Sequence, residues 1–388
     1  CIKNCQEKVN PDEKFIIEAT CVARCYGQLE FKWNLFWFNS SDMTEPFDLN
    51  ELNKVSSDTL STMVTNPIDE LQMAFKPNTL IADRKYILQL TARRPNNVSG
   101  EFRYTMLMNA APTGGRCSVF PPSGVAMTTT FNITCINWTD PDPPIKYDYA
   151  YELNGVRTVF LTLTGSPGKT VIASSDLPIG NANQDNDLDI YVNIRDKFDG
   201  ATEIHFTVKV DPPGKDSFNL TNLGNMLSGS HNPLDELIAG GDPRKALSMA
   251  GVIGSVLNHV DYNSNTSRNM TADEMARRRD ESQKVDELKQ NIMKSLSGIN
   301  VTDMNTLLQL SGTTQVLTEN SDVLSPTTQE YGVGLCSASV TGLTTLSKGQ
   351  SSFKNVKSAV TNLASTIGQL IEASTKPSDE EDLAINDA

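Results

Sequence analysis

Two short stretches, Ala111-Pro-Thr-Gly-Gly-Arg-Cys117 and Cys135-Ile-Asn-Trp-Thr-Asp-Pro-Asp-Pro-Pro144, decide how the middle of the chain folds. Pro-Thr-Gly-Gly is typical of a turn, because proline presets one backbone angle and glycine tolerates the left-handed conformation that other residues avoid. A cysteine lies at the edge of each of two strand-like runs: Cys117 opens the first run and Cys135 closes the second. This placement predicts two neighbouring strands that are joined by a Cys117–Cys135 disulfide.

The first half of the chain alternates between apolar and polar residues, as strands with one buried face do. Ile190, Val192 and Ile194 show the two-residue period most clearly, and a hairpin signal follows them. Similar runs recur between polar turns from the N-terminus onward. Short, evenly spaced strands are typical of sandwiches. The sequence therefore predicts two fibronectin-type-III-like β-sandwiches, over residues 1–110 and 111–214.

Beyond residue 215 the apolar period changes from two to about 3.6, which indicates helices. Asp242-Pro243 and Thr271-Ala-Asp-Glu274 are helix-opening signals, an N-cap with an N1 proline and a capping box. We predict an all-helical block over 215–376 and an acidic linker over 377–388, so the fold class is α+β multidomain. One apolar stripe steps by three and four and is expected to pack in the core: Phe353, Val356, Val360, Leu363, Ile367 and Leu370.

The Gly114-Gly-Arg-Cys117 turn, followed by Cys135, Trp138 and Asp140-Pro141, closely resembles the receptor-for-egg-jelly (REJ) module of the polycystin-one and sperm egg-jelly receptor family. A β-rich module followed by helices is also similar to the polycystin-one ectodomain. There the helices form the first half of an autoproteolysis-inducing domain. None of the three histidines, His205, His231 and His259, is followed by Leu-Ser or Leu-Thr, so no self-cleavage triplet is assigned here.

The resemblance implies a non-catalytic piece of a large membrane glycoprotein of cilia and sperm, on the extracellular side of the plasma or ciliary membrane. It implies three partners: the remainder of the same receptor, a polycystin-two-type cation channel, and an extracellular glycan or protein ligand. The physical features fit a second class equally well. That alternative is a structural glycoprotein of an extracellular or ciliary surface assembly.

The remaining cysteines indicate further disulfides, as expected in an oxidising compartment. If the chain is extended, Cys1 and Cys5 lie about 13 Å apart, as do Cys21 and Cys25, whereas a disulfide spans at most roughly 7 Å. The two pairs are therefore expected to cross-link to each other, as Cys1–Cys25 with Cys5–Cys21 or as Cys1–Cys21 with Cys5–Cys25. A zinc site is the rival interpretation, but zinc sites favour two-residue spacing. Cys336 is the odd cysteine, and three states stay open for it: a buried structural thiol, a thiol whose partner lies outside this fragment, and an adduct.

Composition narrows the classes of partner. The net charge of −14 offers no basic face to nucleic acid, and the Arg277-Arg-Arg279 run is flanked by acidic residues.

No run approaches the roughly 18 to 20 apolar residues that span a bilayer, and Cys1 is not a translation start, so we expect a processed soluble piece. N-glycosylation sequons support a secretory route. They lie at Asn39, Asn97, Asn132, Asn137, Asn219, Asn265, Asn269 and Asn300.

The sequence predicts no catalytic, cofactor-binding or metal-ligating residues. Asp185-Asn-Asp-Leu-Asp189, with Asp196 at the twelfth position, is similar to the start of a calcium loop. Ile190 replaces the glycine that such a loop needs at its sixth position, and the final glutamate is missing, so we interpret a solvated acidic loop. Asp140-Pro-Asp142 is interpreted first as a rigid turn and second as a weak calcium ligand.

Overall fold

The computed structural model describes residues 1–20, 29–39, 49, 52–95, 98–153, 155–214, 218–229, 231–260, 271–347 and 353–375. Strands fill the first part of the chain and helices the second, which confirms the α+β class. The chain divides into two compact units. The first comprises Cys1–Gly114, Trp138–Ile145 and Arg195–Thr202, and the second comprises Gly115–Asn137, Lys146–Ile194 and Glu203–Ala388.

The first unit contains a four-stranded sheet in the order β3-β2-β5-β6 and a pair β1-β4. Its elements are β1 (Phe15–Glu18), β2 (Glu30–Asn39), β3 (Asn53–Lys54), α1 (Ser57–Met63), β4 (Gln72–Phe75), β5 (Arg84–Arg93) and β6 (Ser99–Leu107). Trp33 and Leu35 of β2 are fully buried, since alternate residues of a strand share one face. They join Phe15, Met73 and Phe75 in the core of this unit.

At the N-terminus the structure corrects the expected disulfide pairing. Cys1 bonds Cys5, with their Cα atoms 5.7 Å apart. Both expected pairings are therefore wrong: Cys1–Cys25 with Cys5–Cys21, and Cys1–Cys21 with Cys5–Cys25. The expectation assumed an extended segment. Instead Asn4 adopts a left-handed conformation, with φ of 58°, which turns the backbone and brings the two cysteines together. Cys21 and Cys25 lie outside the described residues.

The second unit contains a three-stranded sheet, β12-β9-β7, and a five-stranded sheet, β11-β10-β13-β14-β8. The strands are β7 (Arg116–Phe120), β8 (Ser123–Val125), β9 (Thr130–Ile136), β10 (Ile145–Leu153), β11 (Val156–Gly165), β12 (Val171–Asp176), β13 (Asp187–Arg195) and β14 (Ala201–Asp211). Cys117 of β7 and Cys135 of β9 are register partners in an antiparallel pair. Their Cα atoms lie 4.1 Å apart and the structure contains the expected disulfide.

Helices make up the remainder of the second unit. They are α2 (Leu220–Ser228), α3 (Pro233–Ala239), α4 (Pro243–His259), α5 (Ala272–Leu296), α6 (Met304–Thr318), α7 (Pro326–Leu346) and α8 (Phe353–Thr375). Both predicted helix starts are present: the Asp242 carboxylate caps α4, and Thr271 and Glu274 form the capping box of α5. Among the described residues, no helix is long and apolar enough to cross a membrane.

The helices share a core with the strands of the same unit. Ser255 of α4 accepts a hydrogen bond from the backbone N–H of Ile179 at 3.2 Å. Gly312 of α6 lies so close to β11 that a Cβ there would stand 2.6 Å from Cγ2 of Thr158. Helix and sheet therefore approach at backbone distance in this part of the second unit.

The interior of the helical part is more polar than its sequence suggests. Thr314 and Thr318 of α6 are buried, and their hydroxyls donate to the carbonyls of Leu310 and Thr314, at 2.7 and 3.0 Å. Thr313 donates to the carbonyl of Leu247 on α4 at 3.1 Å. Because each hydroxyl has a carbonyl acceptor, these threonines are buried without an unsatisfied donor.

On α8 the structure corrects the expected core stripe. Leu363 and Leu370 are buried, but Val360 and Ile367 are 48% and 44% exposed. The buried face is completed by small and polar residues, Ala359, Asn362, Thr366 and Ala373. The spacing of apolar residues predicts a stripe that is displaced by one residue from the face that packs. The displacement arises because small and polar side chains form much of the buried face.

Candidate functional site

Two loops of the first unit bring three carboxylates together. Asp140 and Asp142 belong to the turn that follows β9, and Asp196 begins the loop between β13 and β14. One carboxylate oxygen of each lies within 4.8 Å of the others. Asp140 and Asp196 are buried and Asp142 is partly buried. We call these three residues the acidic cluster.

Asp196 organises its own loop. Its Oδ1 accepts hydrogen bonds from the backbone N–H groups of Phe198, at 2.7 Å, and Gly200, at 2.9 Å. Its Oδ2 accepts from Nδ2 of Asn109 at 2.5 Å. The side chain is fully buried, and burial raises the pKa of this carboxyl above its usual value although these hydrogen bonds oppose the shift.

Two asparagines hold this loop to the N-terminal segment of the same unit. Asn10 donates through Nδ2 to the carbonyl of Phe198 at 2.7 Å, and Asn109 donates through Nδ2 to Oδ1 of Asn10 at 2.8 Å. Both side chains are almost completely buried. The Oδ1 atom of Asn109 is buried and has no hydrogen-bond donor.

The other two carboxylates differ in how they are satisfied. Asp142 pairs with the ammonium of Lys8, and its backbone N–H donates to Oδ1 of Asp140 at 2.7 Å. Oδ2 of Asp140 is buried and has no donor. Burial raises the pKa of Asp140 to about 6, and the negative charges of Asp196 and Asp142 add to the shift.

Gly200 gives the cluster its close packing, and this yields a stability prediction. A Cβ at Gly200 would lie against Nδ2 of Asn109 and 2.8 Å from Oδ2 of Asp196. Gly200→Ala is therefore expected to lower the free energy of unfolding by about 1–3 kcal/mol, as overpacking does. Gly100→Ala is the matched control in the same unit, because a Cβ there meets nothing within 4 Å. Urea unfolding followed by fluorescence compares the two variants, and equal losses would contradict the packing argument.

Only part of this arrangement follows from the sequence. The sequence predicts one solvated acidic loop that includes Asp185, Asp187, Asp189 and Asp196, but Asp196 is fully buried. The other three carboxylates lie in the second unit and take no part in the cluster. Asp189 instead bonds the hydroxyl of Thr207 at 2.7 Å. Asn10 and Asn109, which hold the Asp196 loop, carry no signal in the sequence beyond being polar.

The described sequons lie at the surface. Asn132, Asn137, Asn219 and Asn300 are all exposed. The structure does not describe Asn97, Asn265 or Asn269, nor the side chain of Asn39. At Asn219 the side-chain oxygen caps α2 by accepting from the N–H groups of Thr221 and Asn222, at 2.8 and 3.1 Å.

Comparison with known proteins gives the family. A family model described as the REJ domain matches residues 1–252, which include every residue of the acidic cluster. The chain belongs to the REJ domain family. The match also extends past the strands into α4, so the part of this chain that matches the REJ domain includes the first helices of the second unit.

Curated relatives of this REJ chain are polycystin-family proteins. The polycystin family receptor for egg jelly of Mus musculus is 20% identical over 271 residues, which cover 67% of this chain and 12% of that protein. The receptor of the same name from Homo sapiens is 23% identical over 272 residues, with the same coverages. Polycystin-1-like protein 1 of Oryzias latipes is 26% identical over 208 residues, which cover 53% of this chain and 7% of that protein. The chain thus spans about an eighth or less of the length of these relatives.

Proposed function

We propose that this chain is part of the extracellular region of a polycystin-family receptor, where it acts as a non-catalytic spacer that presents surface to a glycan or protein ligand. The REJ match over residues 1–252 carries the proposal, because two of the relatives are named receptors for egg jelly. The Cys1–Cys5 and Cys117–Cys135 disulfides support an oxidising extracellular setting. The acidic net charge of −14 is consistent with a partner other than nucleic acid.

The proposal extends to the architecture and to the parent protein. We take the two β-rich regions, 1–110 and 111–214, as fibronectin-type-III-like sandwiches and the helices of 215–376 as support for a receptor autocleavage domain. The remainder of the parent receptor would couple this region to a polycystin-two-type cation channel in the plasma or ciliary membrane, including that of sperm. The packing of α4 and α6 against the strands of their own unit supports a helical part that depends on the REJ strands for stability.

The test is the location and processing of the parent protein in the cells that express it. We expect surface biotinylation and protease treatment of intact cells to reach this region, and non-reducing peptide mapping to recover the Cys117–Cys135 bridge. A parent confined to the cytosol, with both thiols free, would overturn the proposal. A secreted parent without membrane spans would instead support the structural-glycoprotein alternative.

N-glycan occupancy is the accompanying prediction. We expect glycans at the exposed Asn132, Asn137, Asn219 and Asn300, and PNGase F treatment with mass spectrometry to show the resulting conversion to aspartate at each. The sugar attaches through Nδ2, so Oδ1 of Asn219 stays available to cap α2. Absence of glycan from all four would contradict a secretory route.

A pair of variants separates the glycan from the cap at Asn219. Thr221→Ala removes the sequon but keeps the side-chain oxygen of Asn219 and the backbone N–H of residue 221, so it should lose one glycan and little stability. Asn219→Ala removes both and is expected to lower the free energy of unfolding by a further ~1 kcal/mol, the usual effect of losing an N-cap.

A further inference from the structure

The acidic cluster has the dimensions of a cation site. A calcium ion binds oxygen ligands at roughly 2.3–2.6 Å, so ligand oxygens on opposite sides of one ion are about 4.6–5.2 Å apart. The oxygens of Asp140, Asp142 and Asp196 all lie within 4.8 Å of one another. We propose that these three carboxylates bind one calcium ion, which ties the turn after β9 to the loop between β13 and β14 within the first unit.

A buried oxygen without a donor points to a bound ligand independently of the distances. Oδ2 of Asp140, a member of the cluster, has no donor although the residue is only 9% exposed. A buried acceptor without a partner is costly, and more so when it is a carboxylate oxygen. A cation satisfies such oxygens, whereas a neighbouring acceptor does not.

The charges and donor types select the ion. The carboxylates carry three negative charges if all are ionised, and Lys8, paired with Asp142, offsets one of them. A divalent cation would therefore neutralise the group. The three ligands offer oxygen alone, without histidine or cysteine, which suits a hard cation rather than zinc. The backbone bonds that fix Asp196, from Phe198 and Gly200, leave little freedom to form the regular octahedron that magnesium demands.

Lys8 also determines how tightly the cluster is expected to bind calcium. Because its ammonium already occupies Oδ2 of Asp142, a bound ion must share that carboxylate with a cation, and this lowers affinity. We expect a Kd in the range of extracellular calcium modules, on the order of 10⁻⁴–10⁻³ M. Lys8→Met should strengthen binding, since it removes the competing positive charge.

The experiment measures calcium binding and thermal unfolding of the full 388-residue chain. Isothermal titration with CaCl₂ and a second titration with Tb³⁺, whose luminescence can be sensitised by Trp138 two residues before Asp140, report binding directly. We expect 5 mM calcium to raise Tm by a few degrees relative to EDTA, and calcium to displace Tb³⁺. Asp140→Asn should lower the affinity at least tenfold and abolish the Tm increase. Asp69→Asn, at an exposed aspartate of the same unit, is the matched control and should behave as the unmodified chain.

Several outcomes would overturn the assignment. No heat of binding and no Tm change at 10 mM calcium would do so, as would binding of magnesium without calcium. Equal losses in Asp140→Asn and Asp69→Asn would place any binding elsewhere. If Asp140→Asn is more stable than the unmodified chain in EDTA and neither binds calcium, a shared proton occupies the cluster instead of a metal. None of these results bears on the receptor proposal, which is tested by the location and glycans of the parent.

Discussion

Replacing Leu363 by aspartate is expected to lower the free energy of unfolding by about 3–5 kcal/mol. Leu363 of α8 is 5% exposed and packs in a cluster with Cys336 and Leu370. The substitution removes these apolar contacts and buries a carboxylate among apolar side chains. Urea unfolding followed by far-UV circular dichroism gives the free energy, and a scan gives the accompanying fall in Tm.

Val360→Asp on the same helix is the control for that change. Val360 is 48% exposed, so a carboxylate there stays in water and should change the free energy of unfolding by less than about 1 kcal/mol. The apolar repeat of α8 treats Val360 and Leu363 as equal members of one stripe. A large loss in both variants would mean that Val360 is buried as well as Leu363, and a large loss in Val360→Asp alone would reverse the assignment.

Removing the Cys117–Cys135 disulfide has the second large effect. The two cysteines are 18 residues apart. For a loop of that length, the chain-entropy relation predicts that the disulfide stabilises the folded state by about 3 kcal/mol. We expect Cys117→Ser with Cys135→Ser to lower the free energy of unfolding by that amount. Non-reducing urea unfolding of the double variant measures it.

The N-terminal bridge provides the comparison. Cys1 and Cys5 are 4 residues apart, and the same relation assigns their shorter loop about 2 kcal/mol. Cys1→Ser with Cys5→Ser should therefore be less damaging than the loss of the longer bridge. The opposite order would show that native-state contacts, and not loop length, determine what these disulfides contribute.

Periodicity predicted elements well where one face of a strand is buried against apolar neighbours. Ile190, Val192 and Ile194 of β13 have no exposed surface, as their alternation indicated. Periodicity did not predict the buried threonines of α6, which donate to carbonyl groups of α6 and α4. Threonine hydroxyls that donate to backbone carbonyls can be buried in a core. In the sequence, however, they cannot be distinguished from hydroxyls that face water.

The acidic cluster was beyond sequence reasoning for a different reason. The sequence predicts the local turn at Asp140-Pro-Asp142, but it places Asp196 in a solvated acidic loop with Asp185 and Asp189. The first unit is assembled from three separate stretches of chain, with Trp138–Ile145 and Arg195–Thr202 added to Cys1–Gly114. No spacing rule connects residues across such a division. Cysteine spacing does not predict the Cys1–Cys5 bond, because one left-handed residue, Asn4, shortens a segment that the spacing argument treats as extended.

The bridge between β7 and β9 also fixes how this part of the molecule responds to pulling. The backbone between Cys117 and Cys135, a separation of 18 residues, would reach about 60 Å if drawn out fully. Because the two sulfurs are bonded, tension applied at the chain ends passes through the disulfide. The backbone between the two cysteines therefore does not extend. If this part of the chain is placed under load, the paired strands β7 and β9 would keep a constant span while other segments lengthen.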